Sequence, residues 1–245
     1  MRNKIQQLLV DLRLKGIAQT LDRELDMADK KGSSASEVIY RLLMEEHKYR
    51  QERSLEYRIK GAKMPLDWTL KTFPFKKQPA VRKHQIQSLA ELSFVEKAEN
   101  IVFIGNPGTG KTGLGIGLLR QALVAGYRGR FYNAQDLLDE LYASLADRTT
   151  PKLIKKLFNY DLLLIDELGY LTLKPEQINA FFKLMGERYG SKSTIITTNL
   201  DYPEWYDLFK RKSLVDALID RLQHRCITIK IDGPSLRTPV SDKPA

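Results

Sequence analysis

Cysteine and histidine, the residues that cross-link small folds or bind structural metals, are scarce in this sequence. Its 245 residues include a single cysteine, Cys226, so no disulfide can form within the chain. The three histidines, His47, His84 and His224, are widely separated, and no zinc-finger spacing is present. These absences exclude a disulfide-stabilised scaffold and a zinc module, and the low cysteine content fits a reducing cytosol.

Long apolar stretches are also absent. No segment approaches the ~20 consecutive apolar residues that a membrane helix requires. Residues 1–5 begin an amphipathic pattern rather than the apolar run of a signal peptide. The sequence therefore predicts a cytoplasmic soluble protein with no membrane partner. Its 42% hydrophobic residues suffice for a core without disulfides or a structural metal.

Negative charge is in deficit. The net charge of +10 favours polyanionic partners, although charge alone does not establish nucleic-acid binding. No acidic residue lies between Asp67 and Glu91, where five basic side chains occur: Lys71, Lys76, Lys77, Arg82 and Lys83. Residues 62–80 are predicted to form a linker, because their prolines interrupt regular secondary structure. It is either a solvated basic connector or a strip that contacts phosphates.

The first 60 residues have the pattern of helices. Apolar residues recur at helical spacing from Ile5 to Leu12, and Gly16 is expected to interrupt the helix. Ser34 and Glu37 have the spacing of a capping box that opens a further helix. We predict a small all-helical N-terminal domain which, with its linker, occupies residues 1–69.

The pattern changes after residue 100. Short apolar runs alternate with amphipathic stretches, and the runs are residues 101–105, 130–133, 162–166, 194–198 and 227–231. This alternation predicts an α/β domain with a parallel sheet flanked by helices. We assign it to residues 70–245.

The first of these runs leads into a complete phosphate-loop motif and then a helical segment. The motif consists of Gly105, Asn106, Pro107, Gly108, Thr109, Gly110, Lys111 and Thr112. The strand–loop–helix context is the one that a true match to this motif requires. Glycines allow backbone amides to turn toward phosphates, Lys111 adds a positive charge, and Thr112 offers a hydroxyl to Mg²⁺. The sequence thus predicts a P-loop protein that binds ATP and Mg²⁺.

Two later strands end in polar side chains that suit the same site. Asp166 and Glu167 follow a buried strand, where Asp166 is placed to hold Mg²⁺ and Glu167 to polarise an attacking water. Paired acids favour hydrolysis over phosphate transfer to a metabolite. Asn199 follows another strand, where it orients water or contacts the γ-phosphate, or else serves as a turn former.

Together these residues resemble the IstB-like ATPases, which are helpers of insertion-sequence transposases, within the initiator branch of the AAA+ ATPases. At longer range the chain is similar to the DnaC helicase loader. The resemblance covers essentially the whole chain. Its most specific parts are residues 105–112, 164–170, 187–189, 197–199, 204–205 and 220–222.

The resemblance implies roles for further residues. Asn199 is the sensor-1 residue, and Arg221 is an arginine finger that reaches the ATP of a neighbouring subunit. From the residues alone, Arg221 is instead interpreted as a surface arginine that pairs with Asp220 or nearby glutamates. Arg237 is a candidate sensor-2 equivalent that contacts nucleotide. The short tail after it implies that the C-terminal lid is absent or vestigial.

The chain departs from the family pattern directly after the motif. Residues 113–115 read Gly-Leu-Gly where the family usually has His-Leu-Ala. We keep Gly113 among the nucleotide-binding residues. We expect the substitution to spare phosphate binding and to loosen the first helical turn.

The resemblance also implies the partners. They are double-stranded DNA, a transposase of the IstA type, and further copies of the chain in a homo-oligomer with ATP at the subunit interfaces. Lys152, Lys155 and Lys156 form either a DNA-binding face or an ordinary solvated helix face. Three alternatives stay open: a helicase loader of the DnaC type, a small-molecule phosphotransferase, and a DNA-binding scaffold that holds ATP but barely hydrolyses it.

Overall fold

The computed structural model describes residues 2–169 and 171–237, except for the side chains of Leu222 and Gln223. Contacts divide the chain into two compact units, one ending at Arg58 and the other beginning at Ile59. This division lies earlier in the chain than the domain boundary that we predict after residue 69, and that boundary stays a prediction. Across the described ranges, no helix is both long enough and apolar enough to cross a membrane. Residues 238–245, on which the prediction of a missing lid depends, lie outside the described residues.

Three helices make up the smaller unit. They are α1 (Arg2–Asp11), α2 (Lys15–Lys31) and α3 (Ala35–Ala62), the last of which continues into the larger unit. Buried Leu9, Ile17 and Leu21 form its core. The capping box at the start of α3 is confirmed, because the backbone N–H of Glu37 donates to Ser34 Oγ and that of Ser34 to Glu37 Oε2.

The break between α1 and α2 differs from the expected one. Gly16 lies in the first turn of α2 rather than interrupting a helix, and Arg13 provides the turn with a φ of 57°. A Cβ on Gly16 would lie 2.8 Å from the backbone of α3, so the glycine permits close approach. The buried carboxylate of Glu46 accepts the N–H groups of Gly16 and Ile17 and thus caps α2 from α3.

The larger unit is built on a five-stranded parallel sheet, as the alternation of apolar runs predicts. Its strands are β1 (Asn100–Gly105), β2 (Gly129–Asn133), β3 (Leu162–Asp166), β4 (Ser193–Thr198) and β5 (Cys226–Ile231). The described helices of this unit are α4 (Lys83–Leu89), α5 (Ser93–Glu96), α6 (Lys111–Val124), α7 (Ala134–Ala146), α8 (Thr150–Phe158), α9 (Pro175–Arg188), α10 (Trp205–Phe209) and α11 (Lys212–His224).

The strand order gathers the polar strand ends. It is β2-β3-β4-β1-β5, so β4 lies between β1 and β3. Ile104 is in register with Thr198, and Asn133 with Asp166. All strands are parallel, so their carboxyl ends meet at one edge of the sheet, where ligands of open α/β folds bind. The chain reverses its direction of winding beside β1, which places the loop after β1 in this crevice.

The 187–189 segment, which carries part of the family resemblance, contributes Arg188 to the interior of the larger unit. Arg188 is 1% exposed, and its guanidinium donates to the carbonyl oxygens of Leu157, Tyr160 and Ser193. These bonds tie α9 to the end of α8 and the start of β4. Burial lowers the pKa of Arg188 to about 10, and the group remains charged at neutral pH. Its observed contacts are therefore structural ones.

Candidate functional site

The loop between β1 and α6 has the backbone shape of an anion cradle. Gly108 and Gly110 have φ values of 83° and 94°, a region that side-chain-bearing residues avoid. The first turn of α6 begins at Lys111, so its free N–H groups face the crevice at the end of the sheet. Positive φ at both glycines and the helix N-terminus together suit a bound phosphate chain.

Lys111 is held by its own loop. Its ammonium donates to the carbonyl oxygens of Gly105 at 2.7 Å and Asn106 at 2.9 Å. Burial lowers the pKa of Lys111, while the nearby Asp166 and Glu167 carboxylates act in the opposite direction. The lysine is therefore positioned at the loop in advance of any phosphate.

The carboxylate of Asp166 connects the loop to the sheet. Its Oδ1 accepts the hydroxyl of Thr112 at 2.9 Å and that of Thr197 at 2.6 Å. Burial raises the pKa of Asp166, and the two hydroxyl donors partly oppose this shift. A hydroxyl and a carboxylate fit Mg²⁺, which prefers a few hard protein oxygens with water and phosphate oxygens for its remaining ligands. Where the chain is described, no cluster of three or more His, Cys, Asp or Glu forms an all-protein metal cage.

Glu167 is held in a strained conformation at the mouth of the site. Its φ is 61°, and its backbone N–H donates to Thr197 Oγ1 at 2.9 Å. The Glu167 carboxylate accepts a hydrogen bond of 3.3 Å from the side-chain amide of Asn133. A non-glycine residue in the left-handed region costs ~1–3 kcal/mol, and such strain is concentrated at functional sites.

These groups surround a cavity of about 580 Å³. The predicted site residues among its lining are Pro107, Gly108, Gly110, Lys111, Thr112, Gly113, Glu167, Asn199 and Arg237. Asp166 reaches this group through its bond to Thr112. Tyr170, which belongs to the 164–170 segment, lies outside the described residues.

Sequence reasoning missed Asn133, which lies at the end of β2 opposite Asp166. Its Oδ1 accepts the N–H of Gln135 and so caps α7, while its amide contacts Glu167. A polar residue at the end of a predicted strand was the available signal, and it was as good as the one for Asn199. Trp68 and Leu66 were also missed, and they add apolar surface to the cavity.

The segment before α4 packs directly on the phosphate loop. A Cβ on Gly113 would lie 2.9 Å from the ring of Trp68, and a Cβ on Gly110 would lie 2.7 Å from the ring of Phe73. Gln78 is fully buried and donates to the carbonyl oxygen of Thr109 at 3.1 Å. Residues 68–78 are therefore not a solvated connector throughout, because these side chains are part of the fold.

The contact with Trp68 accounts for the departure at Gly113. The helix α6 runs without interruption from Lys111 through Gly113 and Gly115. A larger side chain at position 113 would collide with the indole ring. Gly113 therefore permits close packing against Trp68, and the loosened first turn stays a prediction.

Residues 233–237 cover the other side of the loop. The N–H of Leu236 donates to the carbonyl oxygen of Gly108 at 2.8 Å, and Gln78 also donates to that of Pro234 at 3.0 Å. This strap carries Arg237 to the cavity, near enough to Lys111 for its charge to lower the pKa of that lysine.

Arg221 is placed differently. It does not line the cavity; it lies exposed on α11 with its guanidinium 5.9 Å from the ring centroid of Tyr189. Lys156, one of the three lysines on α8, pairs with Glu140 at 3.4 Å. The described structure therefore brings together all predicted nucleotide-site residues except Arg221.

Comparison with protein families gives this arrangement its relatives. A family described as IstB-like ATP binding protein matches residues 7–243. The chain belongs to this family. It is 34% identical to a protein named as the ATP-binding protein of insertion sequence IS5376 from Geobacillus stearothermophilus, over 97% of this chain and 94% of the relative. It is 33% identical to the corresponding protein of insertion sequence IS21 from Pseudomonas aeruginosa, over 96% and 89%.

Solved structures confirm the fold of this IstB-like chain. The DnaC helicase loader superimposes with a TM-score of 0.54 at 27% identity, over 61% of this chain and 88% of that one. AMPPCP-bound DnaA from Aquifex aeolicus gives 0.57 at 22% identity, over 69% and 51%. The predicted P-loop AAA+ fold, with a parallel sheet flanked by helices and a helical N-terminal region, is therefore correct.

Proposed function

We propose that this IstB-like chain is a Mg²⁺-dependent ATPase of an insertion sequence, which assembles on double-stranded DNA and acts with a transposase of the IstA type. The observation that carries the enzymatic part is the set of bonds joining Thr112, Asp166 and Thr197, with Glu167 beside them. This arrangement supports Thr112 and Asp166 as a cation-binding pair and Glu167 as a separate base beside the phosphate loop.

The residues divide the work of hydrolysis. The loop amides and Lys111 bind the β- and γ-phosphates, while Thr112 and Asp166 hold Mg²⁺, which neutralises phosphate charge when bound. Glu167 accepts a proton from the attacking water as the water oxygen bonds to the γ-phosphorus. The bond between that phosphorus and the oxygen bridging to the β-phosphate breaks, and ADP leaves. Asn199 orients that water or contacts the γ-phosphate. Arg237 contacts the nucleotide from the strap.

A carboxylate that is separate from the proposed Mg²⁺ ligand favours ATP hydrolysis over phosphate transfer to a metabolite. Asp166 is committed to two hydroxyls, whereas Glu167 reaches the cavity with one amide contact from Asn133. The free carboxylate oxygen suits a water molecule. The same geometry opposes a scaffold that binds ATP without turnover. Nothing in this site separates a transposition helper from a helicase loader; the near full-length insertion-sequence relatives favour the helper.

Assembly with other molecules rests on the surface of the protein. The net charge of +10 suits contacts with phosphate backbones, which depend on salt and little on sequence. The smaller unit exposes large apolar side chains on α1, in the turn after it and on α3, namely Leu8, Val10, Leu12, Ile39, Tyr40 and Leu43. Such apolar exposure supports a homo-oligomer, in which Arg221 reaches the ATP of a neighbouring subunit. A protein of this kind works in the cytoplasm.

Glu167→Gln tests the proposed division of labour. The amide preserves shape but cannot accept the proton, so phosphate release should fall by ~10²–10⁴-fold while ATP affinity persists. Glu91→Gln makes the same chemical change at an exposed position away from the cavity and should leave the rate unaltered. Hydrolysis by Glu167→Gln at the wild-type rate would show that another group acts as the base.

A further inference from the structure

A second cavity lies in the larger unit, apart from the nucleotide site. Its volume is about 730 Å³, and its lining includes four lysines and two aromatic rings: Lys71, Lys76, Lys77, Lys83, Phe73 and Phe75. We call it the lysine cavity. None of its lining residues lines the cavity at the phosphate loop.

The charge of the lysine cavity is uncompensated. No acidic residue occurs in the sequence between Asp67 and Glu91, and Arg82 adds a fifth positive charge beside Lys83. Within the described part of the chain, none of these five side chains pairs with a carboxylate. All five are exposed. The rival face on α8 differs, since Lys156 pairs with Glu140, and Glu187 lines the same small cavity as Lys155.

The backbone that carries these lysines is anchored. Lys76 and Lys77 belong to a short 3-10 helix, Phe75–Lys77, with buried Phe73 before it and fully buried Gln78 after it. Phe73 and Phe75 pack edge to face with their ring centroids 4.8 Å apart. Fixing the backbone in advance lowers the entropy lost on binding, so these lysines are better prepared for a ligand than those of a loose connector.

We propose that the lysine cavity binds the phosphate backbone of double-stranded DNA. Repeated phosphates match several unpaired ammonium groups on one surface, and the paired packing of the two rings leaves charge as the main feature offered to a ligand. The inference rests on the DNA binding proposed above and assigns it to particular residues. Gln78 and Phe73 also contact the phosphate loop, so the DNA contact shares a rigid support with the nucleotide site.

Lys76→Gln/Lys77→Gln in the full chain tests the assignment. Binding to a labelled duplex of arbitrary sequence is measured by fluorescence anisotropy at several salt concentrations, with ATP and Mg²⁺ present. The slope of log K against log salt is negative, and each lost phosphate contact makes it less steep by about 0.9. The slope of the double variant should therefore be less steep than that of the wild type by about 1.8. If affinities converge near 1 M salt, the same slopes give a loss of roughly 60-fold at ~0.1 M.

Lys152→Gln/Lys155→Gln is the matched control, since it removes the same charge from the rival face. The proposal predicts a near wild-type slope for this pair. If the wild type binds the duplex and the Lys76/Lys77 variant keeps its slope and affinity, or if only the α8 variant loses them, the lysine cavity is not the DNA contact. Loss of transposase binding with DNA affinity retained would assign the cavity to a protein partner and overturn the proposal.

Two further readouts keep the result interpretable. Thermal unfolding and ATP affinity of the Lys76/Lys77 variant should match the wild type, because neither side chain lines the nucleotide cavity. Should that variant misfold, Lys71→Gln/Lys83→Gln removes equal charge outside the short helix and must show the same slope change. A wild-type chain that fails to bind any duplex would refute the DNA part of the proposed function itself.

Discussion

Arg221 offers the sharpest test of whether ATP lies between subunits. The side chain is exposed, does not line its own nucleotide cavity, and packs over Tyr189. An exposed cation–π contact contributes ~0.5–1 kcal/mol, so Arg221→Ala should reduce the free energy of unfolding by no more than about 1 kcal/mol. A finger arginine is worth ~10³-fold in rate. That factor corresponds to about 4 kcal/mol in the activation barrier.

The two magnitudes separate a structural role from a catalytic one. We expect Arg221→Ala to bind ATP normally and unfold at nearly the wild-type denaturant concentration, yet release phosphate about a thousand times more slowly. Arg221→Lys keeps the charge but loses the planar fork, and should restore little activity. Arg211→Ala removes another exposed arginine, and it should leave the rate unchanged.

Mixing two inactive variants shows where the arginine acts. Arg221→Ala subunits have an intact phosphate loop without a finger, whereas Lys111→Ala subunits have a finger with a defective loop. In a mixed oligomer some interfaces combine the two intact halves, so phosphate release should partly return. If both variants fold and co-assemble but the mixture stays inactive, Arg221 does not act on a neighbour's ATP.

Two further predictions concern the nucleotide site itself. Burial raises the pKa of Asp166, so its ionised form lowers the stability of the free protein, and this loss grows as pH rises through the raised pKa. Asp166→Asn should therefore raise the thermal midpoint of the nucleotide-free protein at neutral pH while abolishing Mg²⁺-dependent phosphate release; a lower midpoint would contradict the pKa argument. Gln78→Leu should remove the donor to the carbonyl oxygen of buried Thr109 and to that of Pro234, where the bond is partly buried. We expect a loss of about 2 kcal/mol or more in urea unfolding and weaker ATP binding, and an unchanged unfolding midpoint with unchanged ATP affinity would show that Gln78 does not support the loop.

The sequence alone determined the features that have local signatures. Five runs predicted the strands to within about one residue at each end. The signal was clearest for β1 and β3, which are mainly apolar because both are buried along their whole length. The phosphate loop was recognisable because its glycines, Lys111 and Thr112 occur at fixed spacing between a strand and a helix. The same local logic placed Asp166, Glu167 and Asn199 at strand ends.

Only the tertiary structure decided which distant residues complete the site. Thr197 bonds to Asp166 across 31 positions, and Gln78 reaches Pro234 across 156. Neither contact leaves a period or a spacing in the sequence. The first depends on which strands become neighbours in the sheet, and the second on how two segments outside the sheet pack together. Gly113 illustrates the same point: read locally it weakens a helix, yet in the fold it makes room for Trp68. Packing between segments far apart in the chain carries no local pattern, because it is selected by shape and burial rather than by the order of residues.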